Sequence, residues 1–370
     1  MLFHHHGYVS TNPRVQVAAG IGLDRPAELP DEMDVLIVGS GPAGMIAAAQ
    51  LAMFPDVHTR IIERRPHRLE IGQADGIQAR SVETFQAFGF ASEIIDEAFD
   101  LTSMAFWNPA EDDADTIVRT SLAEDDPEGV SEFPHLIVNQ ARILDWFAEY
   151  MKNSPTRARP DYGWAFETLE DTNDGEHPVL VTLRRTVDAQ GNALEDPASG
   201  PTRQVRAKYV VGADGAGSRV RKAIGHTLTG DAANHAWGVM DVLANTDFPD
   251  IRMKSILKSS QGSVLIIPRE GGYLTRIYIE LDKLAPGERV ADRAITVEKL
   301  IASAQAVFAP YSLDVREVAW WSVYEIGQRL TDRFDDVPEG EARLPRVFIA
   351  GDACHTHSAK AGQGMNVSMQ

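Results

Sequence analysis

Two stretches near the N-terminus carry residues whose types and spacing suit chemistry. The first is a Gly-x-Gly-x-x-Gly pattern formed by Gly39, Gly41 and Gly44. In such a loop the glycines permit a tight turn, a close approach of backbone to a pyrophosphate, and packing of a helix on a strand. Glu63 follows Gly39 by 24 residues, where it would accept hydrogen bonds from a ribose. The spacing predicts a dinucleotide-binding loop.

The second stretch, GQADGIQARS from Gly72 to Ser81, places one acid between a Gly-rich turn and a run that predicts a helix. A buried carboxylate beside a cofactor is unfavourable unless it has a partner or a use. Asp75 is therefore a candidate functional acid. An ordinary turn residue is the alternative.

Further glycine-acid pairs follow two later apolar runs. Asp214 stands in VVGADGAGSRVR, and Gly351 and Asp352 stand in VFIAGDACHTH. A nicotinamide dehydrogenase would usually show only the first fingerprint, so the additional sites favour a larger, tightly held dinucleotide. For Asp214 the alternative is a turn acid that bonds its own backbone.

The elements that must position these residues can be read from the hydrophobic pattern. MDVLIVG and TRIIE are short apolar runs typical of buried parallel strands, and PAGMIAAAQLAMF between them predicts a helix with Pro42 in its first turn. Together they predict a β-α-β unit. From about 231 to 330 the pattern changes to antiparallel strands, with GSVLIIPREGGYLTRIYIEL turning at Gly271 and Gly272.

Composition excludes several classes of function. The chain has 370 residues and a formal net charge of −19, a surface that repels nucleic acid and anionic membranes. Its single cysteine, Cys354, excludes a disulfide framework and fits a reducing compartment, so we expect a cytoplasmic protein. The apolar run 35–54 is interrupted by glycines and predicts no membrane span. His355 and His357 lack candidate partners for a metal site, so none is predicted.

The three glycine motifs, in this order, resemble those of the FAD-dependent aromatic hydroxylases, which are flavoprotein monooxygenases. GQADGIQARSVE and IPREGGYLTRIYIE resemble the phenol hydroxylase branch, with Arg276 placed by the flavin and substrate. The resemblance implies a para-hydroxybenzoate hydroxylase-like α/β fold, with a sheet-rich substrate domain inserted into a Rossmann-like FAD-binding domain. The expected division is an arm at 1–32, an FAD-binding domain at 33–105, 136–230 and 342–370, and a substrate domain at 106–135 and 231–341.

The resemblance also implies roles for individual residues. Asp75 would activate the hydroxyl of a phenol and Tyr278 would hydrogen-bond the substrate oxygen. Lys254 and His135 would hold a carboxylate on the substrate, with Lys258 as a competing lysine. The residues expected to bind FAD are Gly39, Gly41, Ala43, Gly44, Glu63, Arg64, Gln73, Gln140, Asp214, Arg269, Asp352, Gly362, Gly364, Met365 and Asn366.

The implied reaction converts 3-hydroxybenzoate, O2 and NADPH to 3,4-dihydroxybenzoate through a flavin hydroperoxide. Phenol is the alternative substrate, and a noncatalytic FAD-binding fragment or an FAD-dependent reductase is the alternative function. The sequence leaves the choice of NADH or NADPH open, with either docking transiently. The branch continues with a thioredoxin-like domain that assists dimerisation and is expected to be absent here, so a homodimer and the oligomeric state stay open.

Overall fold

The computed structural model describes residues 25–72, 74–281, 293, 295–357 and 362–370, and the backbone of two short strands before them. Along the chain the strands are β1 (Leu2–His4), β2 (Gly7–Val9), β3 (Glu32–Val38), β4 (Thr59–Glu63), β5 (Gly76–Ile77), β6 (Phe99–Asp100), β7 (Ser103–Pro109), β8 (Ile117–Glu124), β9 (Leu136–Ile137), β10 (Pro160–Tyr162), β11 (Trp164–Asp171), β12 (Val179–Arg185), β13 (Thr202–Gly212), β14 (Leu228–Thr246), β15 (Lys254–Ser259), β16 (Gly262–Pro268), β17 (Thr275–Glu280), β18 (Leu313–Thr331), β19 (Val347–Ile349) and β20 (His355–Thr356).

The helices begin and end where the sequence supplies the required residues. They are α1 (Pro42–Leu51), α2 (Ala79–Phe88), α3 (Ala91–Glu97), α4 (Gln140–Asn153), α5 (Arg219–Ala223), α6 (Val297–Phe308) and α7 (Gly364–Met369). The side chain of Asn139 accepts the Ala141 amide at the start of α4, and Thr296 caps α6. Gly89 ends α2 in the left-handed conformation, with φ of 82°.

The first large sheet, here called the cofactor sheet, has the order β10-β4-β3-β13-β12-β11, and β19 also pairs with β13. The strands β10, β4, β3, β13 and β19 pair in parallel, whereas β11, β12 and β13 pair antiparallel. One apolar core lies between this sheet and the helices α1, α2 and α4. A second core fills the opposite side. The predicted β-α-β unit is confirmed, with β3, α1 and β4 in the expected places.

The second large sheet, here called the substrate sheet, has the order β20-β18-β14-β17-β16-β15-β7-β8. Side chains alternate between its two faces. In β17, Ile277 and Ile279 join the core under α6, whereas Tyr278 joins a smaller cluster on the other face. That second face packs near the three-stranded sheet β5-β9-β6, which follows directly from Asp75. The alternation therefore directs one set of side chains of β17 toward the Asp75 loop.

The expected α/β fold with an inserted sheet is confirmed. The division into domains stays a prediction. Strands β7 and β14 cross its boundaries after residues 105 and 230, and β20 pairs with β18 of the substrate sheet although it lies in the segment expected to bind FAD. Within the described part of the chain, no helix is long and apolar enough to cross a membrane.

Candidate active site

The loop after β3 packs so closely that two of its positions admit only glycine. Gly39 has φ of 103°, and a Cβ there would lie 2.4 Å from the carbonyl oxygen of Ala213. A Cβ on Gly44 would lie 1.9 Å from the carbonyl oxygen of Gly39. These contacts press the start of α1 against the turns that end β3 and β13.

The N-terminus of α1 presents open space and uncapped donors. Gly41 is its N-cap, no side chain caps the helix, and Pro42 removes one of the free amides. A Cβ on Gly41 would meet no atom within 4 Å. Backbone amides of Ala43 and Gly44 at a helix start are suited to bind an anion. The loop therefore fits the pyrophosphate of a dinucleotide.

The Gly-Asp motif reaches the same helix start from the other end of the chain. Gly351 has φ of 62°, and a Cβ there would lie 2.8 Å from the Cβ of Ala43. The next residue, Asp352, is exposed and lies 3.4 Å from the hydroxyl of Ser368 in α7. A carboxylate beside the loop, with one long hydrogen bond from Ser368, is consistent with the expected contact to the cofactor.

Glu63 ends β4 with its carboxylate beside the loop. It accepts the amide and the hydroxyl of Ser40, at 3.0 and 2.9 Å, and pairs with Arg65 Nη2 at 3.0 Å. Burial opposes its ionisation, but the hydrogen bonds and charge of Arg65 lower the pKa of Glu63 below its usual value. Arg65, and not the exposed Arg64, therefore supports this carboxylate. The chain bends after β4, and the backbone amide of Arg65 also donates to Glu63, at 2.9 Å.

Asp214 follows β13 and is used by its own turn. Its carboxylate accepts the hydroxyl of Ser218 and the backbone amides of Arg219 and Val220, the amides at 2.7 and 3.2 Å. The acid therefore caps the start of α5. These bonds fit the alternative that the sequence left open, and the expected role of Asp214 at the cofactor stays a prediction.

The loop before α7 is tied to the loop after Asp75 by one side chain. Asn366 donates to the carbonyls of Gly76 and Gly362, at 2.9 and 2.8 Å, and accepts the amide of Gln78 at 2.9 Å. Gly362 has φ of 63°, and Gly364 and Met365 open α7, with Met365 buried. The side chain of Asn366 thus holds two chain segments together, and the expected contact of its backbone with the flavin stays a prediction.

The loop that carries Asp75 is fixed by the start of α4. Gln140 Oε1 accepts the amide of Ala74 at 3.3 Å, and Asn139 Oδ1 accepts the amide of Gly72 at 3.1 Å. The carbonyl of Asp75 accepts the amide of Val138 at 2.9 Å. Gln140 thus positions the Asp75 loop, and its expected place near the flavin stays a prediction. Gln73 lies outside the described residues.

Asp75 is buried between two arginines of the substrate sheet. It is 5% exposed, and its Oδ2 lies 2.8 Å from Arg269 Nη1 and 3.1 Å from Arg276 Nη1. Each arginine also pairs with a second carboxylate, Arg269 with Glu270 and Arg276 with Asp241. The carboxylate of Asp75 is thus a buried charge with two partners, and neither ion pair uses Oδ1.

Tyr278 lies two residues after Arg276 on the same face of β17. It is 8% exposed. Burial, followed by the charge of Asp75, raises the pKa of its phenol well above the usual value, although a hydrogen bond with Arg276 acts in the opposite direction. Tyr278 therefore stays protonated and can donate to a substrate oxygen.

His135 stands between the Asp75 loop and β15. Its Nδ1 lies 2.9 Å from Asp125 Oδ2, and its Nε2 lies 3.3 Å from Gln78 Nε2. A carboxylate only accepts hydrogen bonds, so Nδ1 carries a proton and Nε2 of the neutral ring accepts from Gln78. Burial lowers the pKa of His135, and the charge of Lys254 adds to this, while the charges of Asp125 and Asp75 oppose it.

The structure separates the two lysines that the sequence left as competitors. Lys254 opens β15, is partly buried, and lies close enough to His135 for their charges to interact. Lys258 lies at the far end of the strand and is exposed. Lys254 is therefore the better placed of the two to meet a substrate carboxylate near Asp75.

A histidine pair and a cavity lie apart from the Asp75 site. His355 and His357 stack on each other, with His355 Nδ1 3.0 Å from His357 Nε2. Within the described residues no group of three His, Cys, Asp or Glu side chains is placed to hold a metal ion. A cavity of about 480 Å³ opens at the start of the parallel strands, near Arg159, Trp164 and Arg185. None of the predicted site residues lines this cavity.

Several residues of the site were not found by sequence reasoning. Asp241, Glu270 and Asp125 each pair with a predicted residue, but no motif marks them. A signal was present only for Asp241, an acid inside the apolar run VMDVLA of a strand. Such an acid is rarely buried without a cationic partner.

Comparison with known proteins places these observations in a family. The sequence matches the family described as FAD binding domain over residues 32–370. It is 52% identical to a 3-hydroxybenzoate 4-monooxygenase of Comamonas testosteroni over 375 residues, which cover 100% of this chain and 57% of that protein. It is 35% identical to a phenol 2-monooxygenase of Aspergillus fumigatus, covering 92% of this chain and 53% of that protein.

A solved structure shares the fold. The flavin-dependent monooxygenase PieE, in complex with FAD and substrate, superposes with a TM-score of 0.69 at 20% sequence identity, covering 92% of this chain and 56% of that one. The chain thus spans just over half the length of these relatives.

Proposed function

The chain belongs to the FAD-binding-domain family, and we propose that it is a flavin-dependent monooxygenase that hydroxylates a phenolic aromatic acid. The proposed reaction converts 3-hydroxybenzoate to 3,4-dihydroxybenzoate with O2 and NADPH or NADH. The observation that carries the proposal is the meeting of Asp75 and Tyr278 in one buried site with His135 and Lys254 at its edge. The 52% identity to a 3-hydroxybenzoate 4-monooxygenase supports the substrate.

FAD is held by the glycine loop in this proposal. The amides at the start of α1 receive the pyrophosphate, Glu63 receives a ribose, and Asp352 lies on the far side of the same helix start. When bound, FAD supplies the redox chemistry by which electrons from the nicotinamide cofactor activate oxygen. The remaining steps are carried by side chains of this chain.

Asp75 and Tyr278 prepare the phenol for attack. A phenolate is a much better carbon nucleophile than a phenol, so removal of the hydroxyl proton favours ring hydroxylation. Asp75 is the acceptor for that proton, and the protonated Tyr278 donates to the same oxygen and orients it. Burial of both groups keeps water from the reacting ring.

Lys254 and His135 select the substrate and its orientation. A substrate carboxylate placed between them lies beside two potential cations, and such charge-assisted hydrogen bonds are strong and directional. Holding the carboxylate at this end turns the ring carbon opposite to it toward the cofactor. His135 Nε2 can donate to a carboxylate only after it gains a proton, because Asp125 already occupies Nδ1.

The test is oxidation of NADPH and NADH by the FAD-loaded chain with phenol, 3-hydroxybenzoate and 4-hydroxybenzoate, combined with product analysis. The proposal expects coupled product from 3-hydroxybenzoate. Coupled product from 4-hydroxybenzoate alone would overturn the proposed orientation. Coupled product from phenol alone would favour the activity named for the Aspergillus fumigatus relative. Oxygen uptake with no hydroxylated product from any substrate would favour the alternative functions, an FAD-dependent reductase or a noncatalytic FAD-binding fragment.

A further inference from the structure

Asp75 is the centre of a row of five alternating charges. The row runs from Asp241 through Arg276, Asp75 and Arg269 to Glu270, and here it is called the charge row. Its three inner members, Asp75, Arg269 and Arg276, are at most 6% exposed at their side chains. Buried charges interact strongly because little water screens them. The electrostatic environment of the Asp75 carboxylate is therefore set by all five charges of the row.

The hydrogen-bond distances show that Arg276 pairs more closely with Asp241 than with Asp75. Its Nε and Nη2 lie 2.6 and 2.7 Å from the two oxygens of Asp241, a bidentate pair. Only Nη1 is left toward Asp75, at the longer distance of 3.1 Å. Burial opposes the charge of Arg276, yet the charges of Asp75 and Asp241 raise its pKa well above the usual value.

The register of the strands explains why Arg276 pairs more closely with Asp241. Asp241 in β14 is the direct cross-strand partner of Arg276 in β17. Trp320 is paired with Asp241 from the other side, and its ring lies 5.0 Å from the guanidinium carbon of Arg276. Arg276 is 0% exposed, with Nε and Nη2 bonded to Asp241 and Nη1 directed toward Asp75.

We propose that Asp241 is a positioning residue that keeps Asp75 able to accept a proton, by compensating much of the Arg276 charge. This inference rests on the proposed function, in which Asp75 takes the proton of a phenol. Without the Asp241 charge, Asp75 would be the remaining carboxylate that the described residues show paired with Arg276. A carboxylate that must neutralise a buried guanidinium by itself holds a proton less readily. Glu270 does the same for Arg269 from a more exposed place, since its side chain is 26% exposed.

Other charged and titratable groups also face Asp75 and must stay constant in any test. They are Arg269 and Glu270 of the turn after β16, Arg276 and Tyr278 of β17, Tyr324 of β18, Lys254 of β15, and His135 with its partner Asp125. A test of Asp241 therefore needs a substitution that changes charge with little change in shape.

The test is the pH profile of kcat/KM for the FAD-loaded variant Asp241→Asn. The acid limb of the profile reports the group that must lose its proton, so the limb should move to lower pH by about one unit. The plateau should fall by about tenfold, because a weaker acceptor removes the phenol proton more slowly. Asp241→Glu keeps the charge and should restore the limb.

The matched control is Asp250→Asn. Asp250 is 7% exposed in the same domain and bonds Trp107 and Arg119, on the side of the sheet away from Asp75. Its loss should leave the acid limb in place even if stability falls. If Asp241→Asn does not fold, Glu270→Gln is tested in its place. It should move the acid limb of kcat/KM to lower pH as well, by a smaller amount.

A second measurement needs no turnover. The absorption of the bound phenol, followed against pH, gives the midpoint of its ionisation, which should also move to lower pH in Asp241→Asn because one buried negative charge is gone. If Asp241→Asn has reduced activity but the acid limb of kcat/KM and the midpoint of phenol ionisation do not move, the inference is overturned. Asp241 would then have a structural role only. If Asp250→Asn gave the same shift, that would overturn it too. A wild-type chain that hydroxylates no phenol would overturn the proposed function first.

Discussion

The cofactor loop and the charge row are built in opposite ways. The loop depends on missing side chains: Gly39 and Gly44 leave no space for a Cβ, and the uncapped amides at the start of α1 are the groups proposed to bind FAD. The charge row works through long side chains that meet from separate strands and compensate one another. One site depends on backbone shape, the other on a balance of buried charge. Substitutions should therefore act differently in the two places.

The largest effect is expected in the loop. Gly44→Ala places a Cβ 1.9 Å from a backbone oxygen, so α1 must separate from β3 and FAD binding should be lost. The measurement is flavin absorbance of the purified protein. Gly41→Ala is the matched control, because its Cβ would meet no protein atom within 4 Å. That variant should fold and bind FAD more weakly; equal behaviour of the two variants would contradict the role given to close packing.

Next in size is the centre of the charge row. Asp75→Ala should leave yellow, FAD-loaded protein whose coupled hydroxylation is reduced by about a hundredfold or more, since a general base contributes at least that much. The two arginines keep their other carboxylates, so the protein should still fold. The ratio of product to NADPH oxidised measures the effect. Full coupling in this variant would return Asp75 to an ordinary turn residue.

A smaller effect should separate the two lysines of β15. Lys254→Ala should raise the KM for 3-hydroxybenzoate by about tenfold to a hundredfold, the range expected for one charged hydrogen bond. Turnover of phenol, which has no carboxylate, should change little. Lys258→Ala is the control, since that side chain is exposed at the far end of the strand. A larger effect from Lys258 than from Lys254 would reverse the assignment.

The smallest effect concerns pH. Burial lowers the pKa of His135, so the ring is neutral at neutral pH and must gain a proton to donate to a carboxylate. Affinity for 3-hydroxybenzoate should therefore rise as pH falls toward the pKa of His135, by at most about tenfold per pH unit. Titrations at pH 6.5 and pH 7.5, one unit apart, measure this. The variant His135→Gln, or phenol as ligand, should give a flat profile; a slope in both would point to another group.

The cofactor loop follows more directly from the sequence than the charge row does. The loop is local: six consecutive residues, an apolar run before them and a helix after them determine it. The helix predicted from Pro42 and the strand predicted for TRIIE are confirmed as α1 and β4, since the hydrophobic pattern and helix-start residues act over short distances.

Contacts between distant segments could not be read from the sequence. Gln140 and Asn366 are expected at the flavin, which stays a prediction; the structure adds that their side chains hold the Asp75 loop and the segment after it. No motif indicates that Arg65 pairs with Glu63. In each case the partner depends on which way the side chain points.

The sequence by itself determined the family, the α/β fold and the glycine loop, because these follow from local pattern and backbone sterics. Only the tertiary structure decided that Asp75 meets Arg269, 194 residues away, and that Arg276 is first paired with Asp241. Strand register and burial choose such partners, and neither leaves a mark at a single position of the sequence. In a buried site the proton affinity of a carboxylate is set by all the charges around it. The chemistry of Asp75 can therefore be inferred only when the charged residues around it are known.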